Sequence, residues 1–189
     1  LAQAFAMIGV KVTLIEKGPR IFAREDQDVA LMMQERFQKD GIRILTQSSV
    51  KSFRREGPQS LATVDVLGKE ETVPFSHVLL ALGRKANTEG FGLEALGIQI
   101  RDNGTLEVDE YLRTRYPNIL ACGDLVGPYQ FTHMAAHQAW FAAVNSLFGI
   151  IRRFKVDYKV VPWATYTTPE VARVGMNEED ATAAGLDFQ

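Results

Sequence analysis

The apolar positions of this chain change period several times, and each change predicts an element. Leu1–Gly9, LAQAFAMIG, is rich in small and apolar residues and closes on a glycine. It reads as the end of a helix packed tightly on a sheet, with Gly9 as its stop. Val10–Ile15 predicts a strand with Glu16 at its tip. Over Glu25–Asp40 the period becomes helical. Val29, Met32, Met33 and Phe37 share a face, acids occupy the first turn, and Gly41 ends the helix. Ile42–Leu45 predicts a short strand, and Val50–Arg55 pairs with Leu61–Leu67 around the turn signal Glu56-Gly57-Pro58. His77–Arg84 reads as a buried strand ending in Gly83. Phe91–Leu96 predicts a short helix, and Ile98–Val108 a hairpin turning at Asp102-Asn103-Gly104. The run Ile119–Cys122 reads as a buried parallel strand that stops abruptly at Gly123-Asp124. After a Gly-Pro loop, a helix follows over Gln130–Phe148, with Trp140, Phe141 and Phe148 in the core. Val161–Gly175 predicts strand and turn, and Glu178–Ala184 a helix N-capped by Asn177.

This alternation is α/β. Open α/β sheets bind ligands at the C-terminal ends of their strands, and two acids, Glu16 and Asp124, stand at such ends. In a dinucleotide-binding βαβ unit an acid about 20 residues beyond a glycine fingerprint contacts the adenosine ribose hydroxyls. Counting back from Glu16 places that fingerprint ahead of Leu1. The same residues also fit a solvated charge at a strand end. Asp124 suits either a sugar or polyol hydroxyl or the cap of the next turn. An acid at position 16 favours a free 2′-hydroxyl, hence NAD. Lys17 and Arg20 are cations that a 2′-phosphate would use, which leaves NADP open.

Composition narrows the classes. The 189 residues are 46 % hydrophobic and 23 % charged, with a net charge of -2, so no basic footprint for nucleic acid exists. No apolar run reaches the roughly 18 residues of a membrane span. A single cysteine, Cys122, excludes an internal disulfide or a Cys-x-x-Cys motif and suits a reducing cytoplasm. His133 and His137 stand four apart, but no acid or cysteine completes a ligand set, so no metal site is expected. Met32-Met33 is core packing, His77 an edge residue, and Cys122 a small core thiol.

Longer patterns add a resemblance. Thr114–Asp124, TRYPNILACGD, resembles the second flavin signature T-x-x-P-x-I-x-A-x-G-D of two-dinucleotide-binding-domain flavoproteins. Ala81–Thr88, ALGRKANT, resembles A-x-G-R-x-P-N-T, with Ala86 in place of the proline. Val161–Gly175, VPWATYTTPEVARVG, resembles V-P-x-V-x-Y-T-x-P-E-x-A-x-V-G, with Ala164 in place of the valine. These motifs, in this order, are similar to those of the pyridine nucleotide-disulfide oxidoreductases, nearest the dihydrolipoamide dehydrogenase and mercuric reductase types.

The resemblance implies a Rossmann-like fragment of a two-dinucleotide-binding-domain flavoprotein with the start of an α+β dimerisation domain. Residues 1–86 would be the NAD(P)-binding domain without its glycine motif, 87–157 the second segment of the FAD-binding domain, and 158–189 the start of the C-terminal dimerisation domain. It implies FAD and NAD as cofactors, a homodimer, and a small-molecule or protein disulfide as substrate. By this resemblance Glu16 orients the adenosine ribose and Val50 lies along the adenine. Gly83 lets backbone approach the cofactor, and Asp124 holds the ribityl or adjacent phosphate region. The amides of Gln130, Phe131, Thr132 and His133 meet the flavin pyrimidine edge. None of the family's reacting residues falls within the chain. The first flavin fingerprint and the redox Cys-x-x-x-x-Cys pair are expected ahead of Leu1, and the His-Glu acid/base pair after Gln189. The chain alone is therefore expected to be inactive. Two other readings are a flavoprotein diaphorase or oxidase without the redox disulfide, and a non-catalytic nucleotide-binding module.

Overall fold

A computed structural model describes residues 1–188, which form two compact units: residues 1–80 with 162–188, and residues 81–161. Gln189, the last residue of the expected dimerisation segment, lies outside the described residues.

The first unit opens with α1 (Ala2–Met7), which stops at Gly9 in the left-handed region, φ +88°. β1 (Thr13–Ile15), α2 (Gln27–Lys39) and β2 (Arg43–Leu45) follow as a βαβ crossover. β1 and β2 are parallel, in the register Thr13 to Arg43 and Ile15 to Leu45. The face that α2 buries is Ala30, Met33 and Phe37, one and two turns apart. Met32, expected on that face, is exposed, and Ala30 takes its place. One residue along a helix is a rotation of about 100°. Met33 packs with Ile21, Phe37 and Ile42 beneath Leu14 and Ile44, and α1 covers the cluster through Ala2 and Ala6.

β3 (Ser48–Glu56), β4 (Gln59–Val66) and β5 (Lys69–Phe75) then form an antiparallel meander. The first turn falls on Gly57-Pro58, as the sequence predicts. Ala62, Val64 and Val73 pack this sheet against Ile15 and Leu45.

The second unit departs from the expected strands. Val78–Leu82, which runs from the first unit into the second, forms no strand, and Leu82 is 90 % exposed. The run is apolar enough for a buried strand, but none of its residues is paired in a described ladder or bridge. Residues 91–96 form turns rather than a helix, with Gly90, Gly92 and Gly97 all at positive φ. Ile119–Cys122 is not a parallel strand. It folds back antiparallel onto 112–114, with an Arg113–Leu120 bridge and the Ala121 N–H donating to the Leu112 carbonyl at 3.0 Å. The tight turn at Tyr116-Pro117-Asn118 makes the antiparallel return the nearest source of partners. The expected hairpin at Asp102-Asn103-Gly104 is present as a bridge between Ile100 and Leu106.

α3 (Thr132–Phe148) begins two residues after the predicted start. Phe141 packs on the core of Leu106, Leu112, Ala121 and Val126. Trp140 and Phe148, expected in the core, are each 55 % exposed, because they project from faces of α3 that its own unit does not cover.

The chain re-enters the first unit as the hairpin β6 (Pro162–Thr165) and β7 (Val171–Val174), followed by α4 (Glu178–Ala183). Asn177 caps α4 in a reciprocal box with Asp180, as its sequence predicts. Buried side chains fasten this return. Glu25 accepts from Trp163 Nε1 at 2.9 Å and Thr165 Oγ1 at 3.2 Å, and Gln3 exchanges hydrogen bonds with the Thr168 backbone.

Candidate functional site

Each unit carries one part of the expected site. In the first, β1 delivers Glu16. Its N–H donates to the Leu45 carbonyl at 2.8 Å, and its own carbonyl accepts from Ser48 at 3.0 Å. Its carboxylate folds back to accept the Gly18 N–H at 2.6 Å. A Cβ on Gly18 would stand 3.1 Å from that Oε1, so the glycine leaves room for the carboxylate to settle there. The acid is therefore oriented before any ligand arrives. Val50 lies two residues beyond Ser48 on β3, 39 % exposed, where the ladder to β4 is irregular. Glu16 and the start of β3 are thus brought together. Of the two nearby cations, Lys17 is exposed, whereas Arg20 is engaged with the Glu179 carboxylate and the Ala23 and Glu25 carbonyls.

In the second unit, Asp124 sits in a single 3-10 turn over Gly123–Leu125, half-exposed. Gly123 has φ +75°, and a Cβ there would meet Ala135 Cβ at 3.3 Å, so the turn lies hard against α3. Gly83 has φ +106°, a backbone that favours glycine. The next residue, Arg84, ties the site residues together: its guanidinium is 3.6 Å from Asp124 Oδ2 and 3.5 Å from the Gln130 carbonyl. Phe131 is the N-cap of α3 and makes no side-chain cap bond to the amides of the first turn. Such a terminus carries partial positive charge and suits an electron-rich carbonyl or anion. Phe131 stacks on His133 with ring centroids 5.1 Å apart, and Tyr129 stacks on Phe131. Gly83, Asp124 and Gln130–His133 are therefore gathered in one unit, and Glu16 and Val50 in the other.

Sequence reasoning missed what holds this turn. Gln138 of α3 is fully buried. Its Oε1 accepts from the Gly123 N–H at 2.5 Å, and its Nε2 donates to the Gly127 carbonyl at 2.8 Å and the Tyr158 hydroxyl at 2.9 Å. Burial pushes the Tyr158 phenol pKa up, against the opposing effect of the Gln138 N–H. Asn145, further along α3, does similar work for the Phe154 backbone. The available signal was an amide at each of two positions on the buried stripe begun by Met134.

The remaining candidates take structural roles. Cys122 is a free thiol packed on the core. His137 meets the Asp157 carbonyl at 3.0 Å, and no cluster of metal-ligating side chains exists among the described residues. No helix among the described residues is long and apolar enough to cross a membrane.

Compared with known proteins, residues 1–139 match the family described as pyridine nucleotide-disulphide oxidoreductase. A mercuric reductase of Streptomyces lividans is 37 % identical over 188 residues, which is 100 % of this chain and 39 % of the relative. A dihydrolipoyl dehydrogenase of Chlamydia pneumoniae is 36 % identical over 98 % of the chain and 39 % of its own length. Among solved structures, the flavoprotein disulfide reductase RclA of Escherichia coli, as a Cu(II) complex, superposes with a TM-score of 0.86 at 31 % identity, covering 100 % of this chain and 42 % of that one. LpdA of Mycobacterium tuberculosis gives 0.85 at 31 % identity, over 97 % and 39 %. The chain thus spans about two-fifths of the length of the relatives it matches.

Proposed function

The chain belongs to the pyridine nucleotide-disulphide oxidoreductase family, and on that premise we propose that it is part of an FAD-dependent oxidoreductase that passes hydride from NAD(P)H through flavin to a disulfide or similar acceptor. The observation that carries the reading is the gathering of Gly83, Asp124 and the α3 N-terminus around Arg84 in one unit, with Glu16 oriented at a βαβ strand end in the other. Bound, FAD would supply the two-electron relay between nicotinamide and disulfide. The residues present fit it. Asp124 offers a half-exposed carboxylate to ribityl or phosphate-adjacent hydroxyls, and Arg84 beside it balances that charge. The Thr132 and His133 amides at the start of α3 would favour negative charge on the flavin pyrimidine edge.

For the nicotinamide cofactor we propose NAD over NADP, with Glu16 holding the adenosine ribose and Val50 flanking the adenine. The engagement of Arg20 by Glu179 supports this, since that cation is already neutralised and not offered to a 2′-phosphate. Residues 1–86, 87–157 and 158–189 are assigned to the NAD domain remainder, the second FAD segment and the start of a dimerisation domain. The full-length protein is assigned as a cytoplasmic homodimer.

The test is anaerobic mixing of the purified full-length protein with NADH or NADPH, followed by flavin absorbance. Much faster flavin bleaching by NADH than by NADPH at equal concentration supports the reading. A full-length protein carrying no flavin overturns it, and a preference for NADPH overturns the coenzyme assignment alone.

A further inference from the structure

We infer that Gln138 is a positioning residue for the flavin site, setting the place of the Asp124 carboxylate by clamping both ends of the loop that carries it. The inference rests on the FAD reading above. Gly123 and Gly127 flank the loop, and one planar amide binds the N–H of the first and the carbonyl of the second. Gly123 immediately precedes Asp124, so its position fixes where the carboxylate begins. The clamp needs a group that accepts on one atom and donates on the other. A carboxylate would turn a bare oxygen toward the Gly127 carbonyl, and an apolar side chain would leave both backbone groups buried and unsatisfied. The second Nε2 hydrogen goes to the Tyr158 hydroxyl, which holds the amide plane from outside the loop. Each of the three contacts is at least 11 residues away in sequence, so the clamp is tertiary and not part of the helix.

A residue that only stabilised the fold would lower the melting temperature without acting through Asp124. Asn145 provides that comparison. It is also a buried amide on α3, though less deeply placed than Gln138, and is bound to the Tyr111 and Phe154 backbone away from the Asp124 loop.

The experiment measures the FAD dissociation constant of the full-length protein by recovery of flavin fluorescence. The variants are Gln138→Met, Asp124→Ala, their combination, and Asn145→Met. Losing a buried hydrogen-bond pair to the loop should weaken FAD binding about tenfold in Gln138→Met. In the Asp124→Ala background the same change should weaken it less than about threefold, because the group being positioned is gone. Asn145→Met should melt lower yet bind FAD within about threefold of the parent. Equal effects of Gln138→Met in both backgrounds, or none in either, would overturn the inference while leaving the flavin reading intact. So would an Asn145→Met loss as large as that of Gln138→Met. A parent protein that binds no FAD removes both. If Gln138→Met does not fold, Tyr158→Phe keeps the amide and removes one acceptor. It should weaken FAD binding in the same direction by a smaller factor, and unchanged binding there counts against the clamp.

Discussion

Gly123→Ala probes the close approach that defines the Asp124 turn. Two separable terms oppose the methyl group. The residue sits at φ +75°, where an L-residue loses about 1–2 kcal/mol. The new Cβ would also stand 3.3 Å from Ala135 Cβ, a contact tight enough that α3 or the turn must give. Crowding of that kind typically costs about 1–3 kcal/mol. Together they predict a loss of about 3 kcal/mol, a large share of the roughly 5–15 kcal/mol of a folded domain. The assay is urea denaturation of the full-length protein, with FAD release as a second readout. The crowding term has its own check. Ala135→Gly removes the opposing methyl, and on its own should cost about 1 kcal/mol of helix propensity. Combined with Gly123→Ala it should recover about 1–2 kcal/mol relative to additivity. A Gly123→Ala protein within about 0.5 kcal/mol of the parent would refute the account of the turn. Strict additivity of the pair would refute the packing against α3.

Other expectations follow from burial and charge. Met33 is completely buried under β1 and β2, so Met33→Ala should cost about 2–5 kcal/mol by chemical denaturation, whereas exposed Met32→Ala should cost little. Burial works against the Asp109 carboxylate, but Arg113 and the Tyr111 and Arg113 amides outweigh it and hold its pKa below the ordinary value. With the folded pKa below the unfolded one, its contribution is present above about pH 4 and lost as pH falls through the lowered value. Asp109→Asn should flatten the acid limb of stability against pH, and an unchanged limb contradicts this. Tyr158 runs the other way. Its raised pKa gives a contribution present below about pH 10 and lost as pH rises through the folded value. In an absorbance titration, Tyr158→Phe should remove a late-ionising tyrosine.

What could be read from the sequence was what is local. The α2 helix with Met33 and Phe37 on its buried face, the Gly9 and Gly41 stops, the Gly57-Pro58 turn and the Asn177 cap depend on neighbours within a few residues, and all appear in the structure, with Met32 alone turned out of the expected stripe. Strand status is not local. Val78–Leu82 and Ile119–Cys122 have strand-like composition, but composition does not say which partner supplies the hydrogen bonds. The second run found an antiparallel return at 112–114, and the first found no partner among the described residues. Trp140 and Phe148 failed for a related reason, since an apolar side chain on a helix faces a core only where something lies opposite. Asp124 and Gly83 were singled out through their motifs. Arg84, within one of those motifs, gave no hint that it would bridge Asp124 and Gln130. Gln138 was illegible because an amide in a helical stripe resembles any other polar interruption until its distant partners are in place.

The central claim is that Asp124 is the carboxylate around which the flavin site is built. The measurement that meets it most directly is the FAD dissociation constant of the full-length protein with Asp124→Ala, alongside its NADH affinity. Loss of hydrogen bonds to a charged acceptor, about 1.5–3 kcal/mol, predicts FAD binding weakened by about ten- to a hundredfold, with NADH affinity unchanged. FAD binding equal to that of the parent protein would contradict the account.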